Sequence, residues 1–227
     1  MEQIKINDRL LTAVPFVRLN KILADIGTDH AYLPIYLMQK GLISGAVAAD
    51  INQGPLDKAQ ENICKYGLNE SITTVLCDGL SKIEPDKVDD VAIFGMGGEL
   101  IIKIIDEANW LKDSDKRLII QPMTHPEKLR EYLANNGFLI LGESLSFDRG
   151  KIYQTICAQY DGILREYDEF TYFFGEYILK EKSDLLIELL EITKQKIERK
   201  TVGKKAGGEN IAPELAFIEK ISEYIKR

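Results

Sequence analysis

A doubly wound α/β fold, with five parallel strands closed by an antiparallel pair and a helical hairpin at the C-terminus, is what this sequence predicts. Three observations carry it. Short apolar runs alternate with helical patterns as far as Asn135. Two strand-like runs then follow each other with no room for a crossover helix. From about Asp161 the strand signals stop and helical stripes take over.

The runs Lys21–Ile26, Ala46–Ile51, Ile72–Leu76, Val91–Gly95 and Leu118–Gln121 read as buried strands. Between them, Tyr32–Gln39, Pro55–Lys65, Leu100–Trp110 and Pro126–Asn135 read as helices. Strand alternating with helix at this spacing means βαβ units and a parallel sheet. Gly137–Leu141 and Ile152–Gln159 are separated only by a polar, glycine-containing stretch, so they are expected to pair antiparallel. Further on, Ile178, Leu185, Leu189 and Ile192 fall on one stripe of a long helix. The stretch TVGKKAGGEN, with three glycines, is read as its end. Ile211, Leu215, Ile218, Ile221 and Ile225 then form a second stripe, which makes a hairpin of two helices. The division expected is residues 1–160 for the α/β unit and 161–227 for the helical one.

The 227 residues suffice for a sizeable core, and 45% apolar with 29% charged residues is ordinary for a globular chain. No apolar run reaches the ~18 residues of a membrane helix. The first twenty residues lack the uninterrupted apolar core of a signal peptide. Cys64, Cys77 and Cys157 are scattered, which indicates neither a disulfide frame nor a zinc site and fits a reducing cytoplasm. Two histidines make no metal cluster, so no metal is expected. A net charge of −7 means that any nucleic-acid surface must be local.

The loop after the first strand is the strongest signal of chemistry. Gly27, just past Asp25, lets the backbone turn tightly and approach a ligand. A dinucleotide loop would continue with two more glycines, but Asp29 and Ala31 stand there, with His30 between them. An aspartate would repel a diphosphate; it suits a cofactor with an amino-acid end and a positive charge. The competing reading makes Asp29 a helix N-cap. Asp50, followed by Ile51, ends the second strand, where a carboxylate accepts both ribose hydroxyls of a nucleoside cofactor; alternatively it caps the next helix. Asp78-Gly79 ends the third strand, where the carboxylate can hold an adenine amino group. Gly95-Met96-Gly97-Gly98 follows the fourth, in the centre of the crevice, and leaves room for a flat substrate. Gln121-Pro122 is read as another wall, and His125 as a helix start.

The sequence resembles the bacterial tRNA (adenine-22-N1)-methyltransferase family in the segments DIGTDHAYLP (Asp25–Pro34), AADINQGPLDKAQENI (Ala48–Ile63), CDGL (Cys77–Leu80), FGMGGELI (Phe94–Ile101) and GKIYQ (Gly150–Gln154). The resemblance runs over nearly the whole chain. It implies a class I methyltransferase sheet, S-adenosylmethionine as cofactor, and methylation of N1 of adenine 22 in tRNA. Carried over by position, Asp25, Gly27, Asp29, His30, Asp50, Ile51, Asp78, Gly79, Gly95, Met96 and Gly97 line the cofactor site. The Gly-x-Gly-x-Gly of distant methyltransferases is degenerate here.

Adenine N1 carries no proton at neutral pH, so methyl transfer to it needs alignment and charge stabilisation rather than a general base. Asp29 is the candidate for favouring the developing charge, and Met96 for holding the base. For RNA contact, Lys194, Lys196, Arg199, Lys200, Lys204 and Lys205 gather at the hairpin tip, with only Glu198 opposing them between 194 and 205. Arg9 and Arg18 on an N-terminal helix would add a second patch. Competing readings are a nicotinamide-dependent dehydrogenase, a methyltransferase for another RNA base or a small molecule, and a catalytically silent RNA-binding adaptor.

Overall fold

The computed structural model describes residues 3–226, so the outermost ends of the two expected units lie outside the described residues. Five strands run parallel: β1 (Lys21–Ile26), β2 (Ile43–Asp50), β3 (Ile72–Leu76), β4 (Asp90–Met96) and β5 (Arg117–Pro122). β6 (Phe138–Asp148) and β7 (Lys151–Tyr160) form an antiparallel pair, and β7 joins it to β5. The order across the sheet is β3-β2-β1-β4-β5-β7-β6. Chain direction across the sheet reverses between β1 and β4, and a crevice opens there beyond the carboxyl ends of the strands.

Alternate residues of the strands face opposite ways. Ala24, Ile26, Val91, Ile93, Leu118 and Ile120 pack with Ile101, Ile105, Leu129 and Leu133 from α4 (Gly98–Glu107) and α5 (Pro126–Asn135). Leu23, Ala92, Phe94 and Ile119 face the other way. They meet Leu33, Leu37, Ala59 and Ile63 from α2 (Tyr32–Gln39) and α3 (Gln53–Lys65). Because both faces are covered, the strands read as continuous apolar runs rather than alternating ones.

Several boundaries differ from the sequence expectation. The polar stretch after Leu141 is not a loop: both strands extend through it to a two-residue turn at Arg149-Gly150. Both turn residues have positive φ, 47° and 75°, as a tight hairpin turn demands. The helix expected to run through Trp110 ends at Glu107, with a short 3-10 turn following. The long C-terminal helix does not stop at Thr201 but continues through Gly203 to Ala206.

The C-terminal part comprises α6 (Glu169–Phe174), α7 (Glu176–Glu181), α8 (Asp184–Ala206) and α9 (Ala212–Ile225). Ile178 belongs to α7, so the expected single stripe is broken, and Leu186, Leu189 and Leu190 carry the buried face of α8 while Ile192 is exposed. On α9, Phe217 and Ile221 are buried and Leu215 is exposed. These side chains form a third core with Phe170 and Phe174, packed against Leu145 of β6 and Ile152 of β7. An ion pair fastens the helices to the sheet. Arg130 of α5 donates from Nε to Glu143 of β6 (2.6 Å) and from Nη2 to Gln154 of β7 (2.7 Å). Its Nη1 donates to the carbonyls of Tyr172 (2.9 Å) and Phe173 (3.1 Å), and Glu143 accepts from Tyr177 N (3.1 Å).

Candidate active site

Asp25 stands at the carboxyl end of β1 beside Ala48 of β2 and Ala92 of β4. Burial pushes its carboxyl up to about 6; the Thr28 hydroxyl and the Arg9 cation pull it down, and Asp50 adds to the rise. The loop beyond is held by Ala49, whose carbonyl accepts from Gly27 N (2.8 Å) and Thr28 N (3.0 Å). Gly27 has φ +76°, and a Cβ there would collide with Met96 Cε. The absent Gly27 side chain leaves its place to the Met96 methyl, which packs against the loop backbone. Asp29 is not the cap of α2: Ala31 occupies that position in left-handed conformation, and Thr28 Oγ1 accepts from its N–H (3.1 Å). Asp29 is exposed on the rim, with its Oδ2 3.2 Å from His30 Nε2. The His30 ring stacks on Tyr32 at 4.8 Å between centroids.

Asp50, at the end of β2, is half-buried, and its Oδ1 accepts from Asn52 N (2.7 Å). The cap position of α3 belongs to Asn52, so the backbone contact orients the Asp50 carboxylate at the strand end. Ile51 next to it is 60% exposed, an apolar face offered to the crevice. Asp78-Gly79 follows β3, with the Asp78 carboxylate exposed. Burial raises the Cys77 thiol; Lys82 pulls it down and the carboxylates of Asp78 and Asp50 add to the rise.

The wall of the crevice is Gly95-Met96-Gly97-Gly98. The register between β4 and β5 shifts across Gly95, and Gly97 caps α4. A Cβ on Gly98 would lie 2.6 Å from the His125 carbonyl oxygen and 2.7 Å from that of Thr124. Glycine at this place lets the loop after β5 lie against the wall, where Gly98 N donates to Thr124 O and Met123 N to Met96 O, both at 2.8 Å. His125 does start α5, as its N-cap.

The two N-terminal arginines are not brought together. The expected helix is a single turn, α1 (Asp8–Leu11), and carries only Arg9. Arg9 reaches over the crevice: its Nη1 lies 3.5 Å from where a Gly95 Cβ would be, donates to Gln121 Oε1 (3.4 Å), and its guanidinium sits 5.5 Å from the Tyr153 ring centroid. Arg18 lies at the opposite, amino ends of the strands. It is committed to Asp90, donating from Nε (2.7 Å) and backbone N (2.8 Å), and to the carbonyls of Asp89 and Asp115. Gln121 is fully buried and is a strut rather than a wall, donating from Nε2 to Thr155 Oγ1 (2.7 Å), Arg9 O (3.1 Å) and Thr12 Oγ1 (3.3 Å).

Lys196, Arg199, Lys200 and Lys205 are exposed on α8 and Lys194 is half-buried. Within 194–205 Glu198 is the one acid, but acids from beyond that stretch also oppose the cations: Lys204 pairs with Glu214 (2.5 Å) and lies 4.0 Å from Glu209. Sequence reasoning missed Thr28, which braces Asp25, and Tyr153, which lies under Arg9 from a strand far along the chain. Among the described residues, no cluster of three or more His, Cys, Asp or Glu could hold a metal ion.

A sheet reversing at β1/β4, an antiparallel closing pair, and carboxylates at the ends of the first three strands define a class I methyltransferase. A nicotinamide-type domain would carry small residues, glycine above all, where Asp29 and Tyr32 stand. Within that class, the chain belongs to the TrmK family, tRNA (adenine(22)-N(1))-methyltransferase, whose description matches residues 23–226. It is 33% identical to the tRNA (adenine(22)-N(1))-methyltransferase of Bacillus subtilis over 83% of this chain and 81% of that one. Among solved structures, a Streptococcus pneumoniae protein in complex with S-adenosyl-L-methionine is 32% identical, with a TM-score of 0.86 over 97% of this chain and 100% of that one. The TrmK of M. capricolum, in complex with S-adenosyl-homocysteine, is 30% identical, with a TM-score of 0.78 over 97% and 98%.

Proposed function

We infer that this chain transfers a methyl group from S-adenosylmethionine to N1 of adenine 22 in tRNA, leaving 1-methyladenosine. The observation that carries the reading is the match to the family over residues 23–226, on a crevice whose residues fit that chemistry.

The fit is tested by the donor set. Asp50, oriented by Asn52 N, is placed to accept from two ribose hydroxyls, with Ile51 as the apolar face beside it. Asp78 and Gly79 suit an adenine amino group. Asp25, Gly27, Asp29 and His30 suit a charged amino-acid end, because two carboxylates stand on either side of a tight glycine turn at the end of β1. When bound, the cofactor supplies an electrophilic methyl group on a sulfonium centre. Every other requirement falls on the protein.

The attacking N1 lone pair needs no base, so the residues present align and stabilise. Gly95, Met96 and Gly97 form a flat wall on which the purine rests, and Met96 closes the gap toward Gly27. Positive charge moves onto the purine as the bond forms, and Asp29 on the rim favours it. An adenine stacked in folded RNA must be turned out to reach this depth. The exposed cations Lys196, Arg199, Lys200 and Lys205 of α8, with the half-buried Lys194, provide phosphate contacts, and Lys204 is partly neutralised by its two acids. Arg18 drops out of this set, since Asp90 holds it.

The test is to incubate the protein with cofactor and unmodified tRNA, digest the RNA and identify the methylated nucleoside by mass. 1-Methyladenosine is expected. A methyl group on another base, or none on RNA, would overturn the reading.

A further inference from the structure

The outer end of the β6–β7 hairpin has no part in the chemistry above, although its GKIYQ segment is one of those that mark the family. Phe147 stands 47% exposed at that end. Arg149 and Lys151 follow it around the turn, both exposed, and neither forms an ion pair with another described residue. Behind Phe147 runs an open groove of about 560 Å³ between α1 and β6, reaching Leu185 of α8. Ser144 and Ser146 line it, and their Oγ atoms have no hydrogen-bond partner although Ser146 is only 6% exposed.

The hairpin is also tied to the crevice. Asp148 accepts from Asn7 Nδ2 (3.0 Å), Thr155 and Thr12 share a hydrogen bond (2.6 Å), and Tyr153 lies under Arg9, which borders Gly95. An exposed aromatic ring next to a turn that carries two unpaired cations, on a chain of net charge −7, matches a polyanion with flat bases. Asp8 in the groove wall disfavours a phosphate there and suits ribose hydroxyls or base amines.

We propose that this hairpin end and its groove bind a nucleotide of the tRNA neighbouring the target adenine. Phe147 stacks on its base, Arg149 and Lys151 meet the adjoining phosphates, and the groove takes its sugar and base edge. The proposal rests on tRNA being the substrate.

The experiment measures equilibrium binding of unmodified tRNA across a salt series, with cofactor affinity and methylation by the wild type as controls. Phe147→Ala is expected to weaken tRNA binding at least about fivefold with an unchanged salt slope, and Phe147→Trp to restore it. The double variant Arg149→Ala/Lys151→Ala is expected to flatten the log–log salt slope by about 1.5, the loss of two phosphate contacts. Cofactor affinity stays at the wild-type value in all three. If the wild type methylates tRNA while all three variants bind it like wild type, this contact is overturned and the function stands. If Phe147→Ala changes the self-association of the protein and not its tRNA affinity, the ring serves a second copy and the proposal also fails. A wild type that methylates no tRNA would overturn the functional reading itself.

Discussion

Two of the places where charge is buried in this molecule are finished differently. Where the C-terminal helices meet the sheet, Arg130 is nearly saturated: one carboxylate, one amide oxygen and two carbonyls accept from it. Glu143 has its own second donor in Tyr177 N. At the top of β1, Asp25 is just as deeply buried, but it has the Thr28 hydroxyl and the more distant Arg9 cation, and its carboxyl is pushed up to about 6. A charge that holds two parts together is given all its partners by the fold. On the function proposed above, Asp25 is a charge kept for the cofactor, and the fold leaves it short of partners.

The difference can be broken first at the joint. Arg130→Met leaves Glu143 without its cation, and removing one partner of a buried pair costs ~3–5 kcal/mol. Denaturant unfolding should show a loss of that size. A loss below about 1 kcal/mol would mean that the joint is not what fastens the helices.

At Asp25 the sign reverses. The carboxyl sits at about 6 in the fold against an ordinary 3.8. Below about pH 4 it is protonated in both folded and unfolded chains, and the fold bears no penalty. As pH rises from about 4 to about 6 the unfolded chain releases its proton first, so stability falls through that window, by at most roughly 3 kcal/mol. Asp25→Asn should lose this slope and be more stable than wild type at pH 7, while binding the cofactor more weakly. Equal pH profiles of unfolding for the two proteins would show that Asp25 is not strained by its burial.

Asp50→Ala comes next. It removes a charge-assisted contact and should weaken binding of S-adenosylmethionine by about 1.5–3 kcal/mol in calorimetry with little change in stability. Unchanged affinity in a folded variant would take Asp50 out of the site.

How much of this was legible from the chain depends on how local each signal is. Strands buried on both faces announce themselves as apolar runs, so β1 to β5 and their glycine loops could be read directly, as could the carboxylates that end them. The outer half of the β6–β7 hairpin could not. Its edge strand carries serines and Glu143, whose partners Arg130 and Tyr177 are remote in sequence, and polar residues there mimic a loop. Gly203 misled in the opposite sense: a glycine inside a helix costs only about 1 kcal/mol, and α8 runs through it against the face of α9. Arg9 was visible as a basic residue but not as a neighbour of Gly95, because that contact depends on where a single helical turn is laid across the sheet.

The smallest effects belong to the exposed tip of α8. Reversing the charges of Lys200, Lys204 and Lys205 should weaken tRNA binding several-fold, flatten its salt dependence, and leave cofactor binding intact. Lys204, already paired with Glu214, should contribute least when reversed alone. A triple variant with the wild-type salt slope would reduce the tip to a solvated helix end.

The account turns on a crevice built for one flat base presented by one RNA. Its most direct test is transfer of labelled methyl from S-adenosylmethionine to a single tRNA and to the same tRNA with adenine 22 changed to guanine. Label is predicted in the first, at N1 of that adenine, and none in the second, although the second still binds through its backbone. Label that survives the change, or that sits on the exocyclic nitrogen, would contradict it.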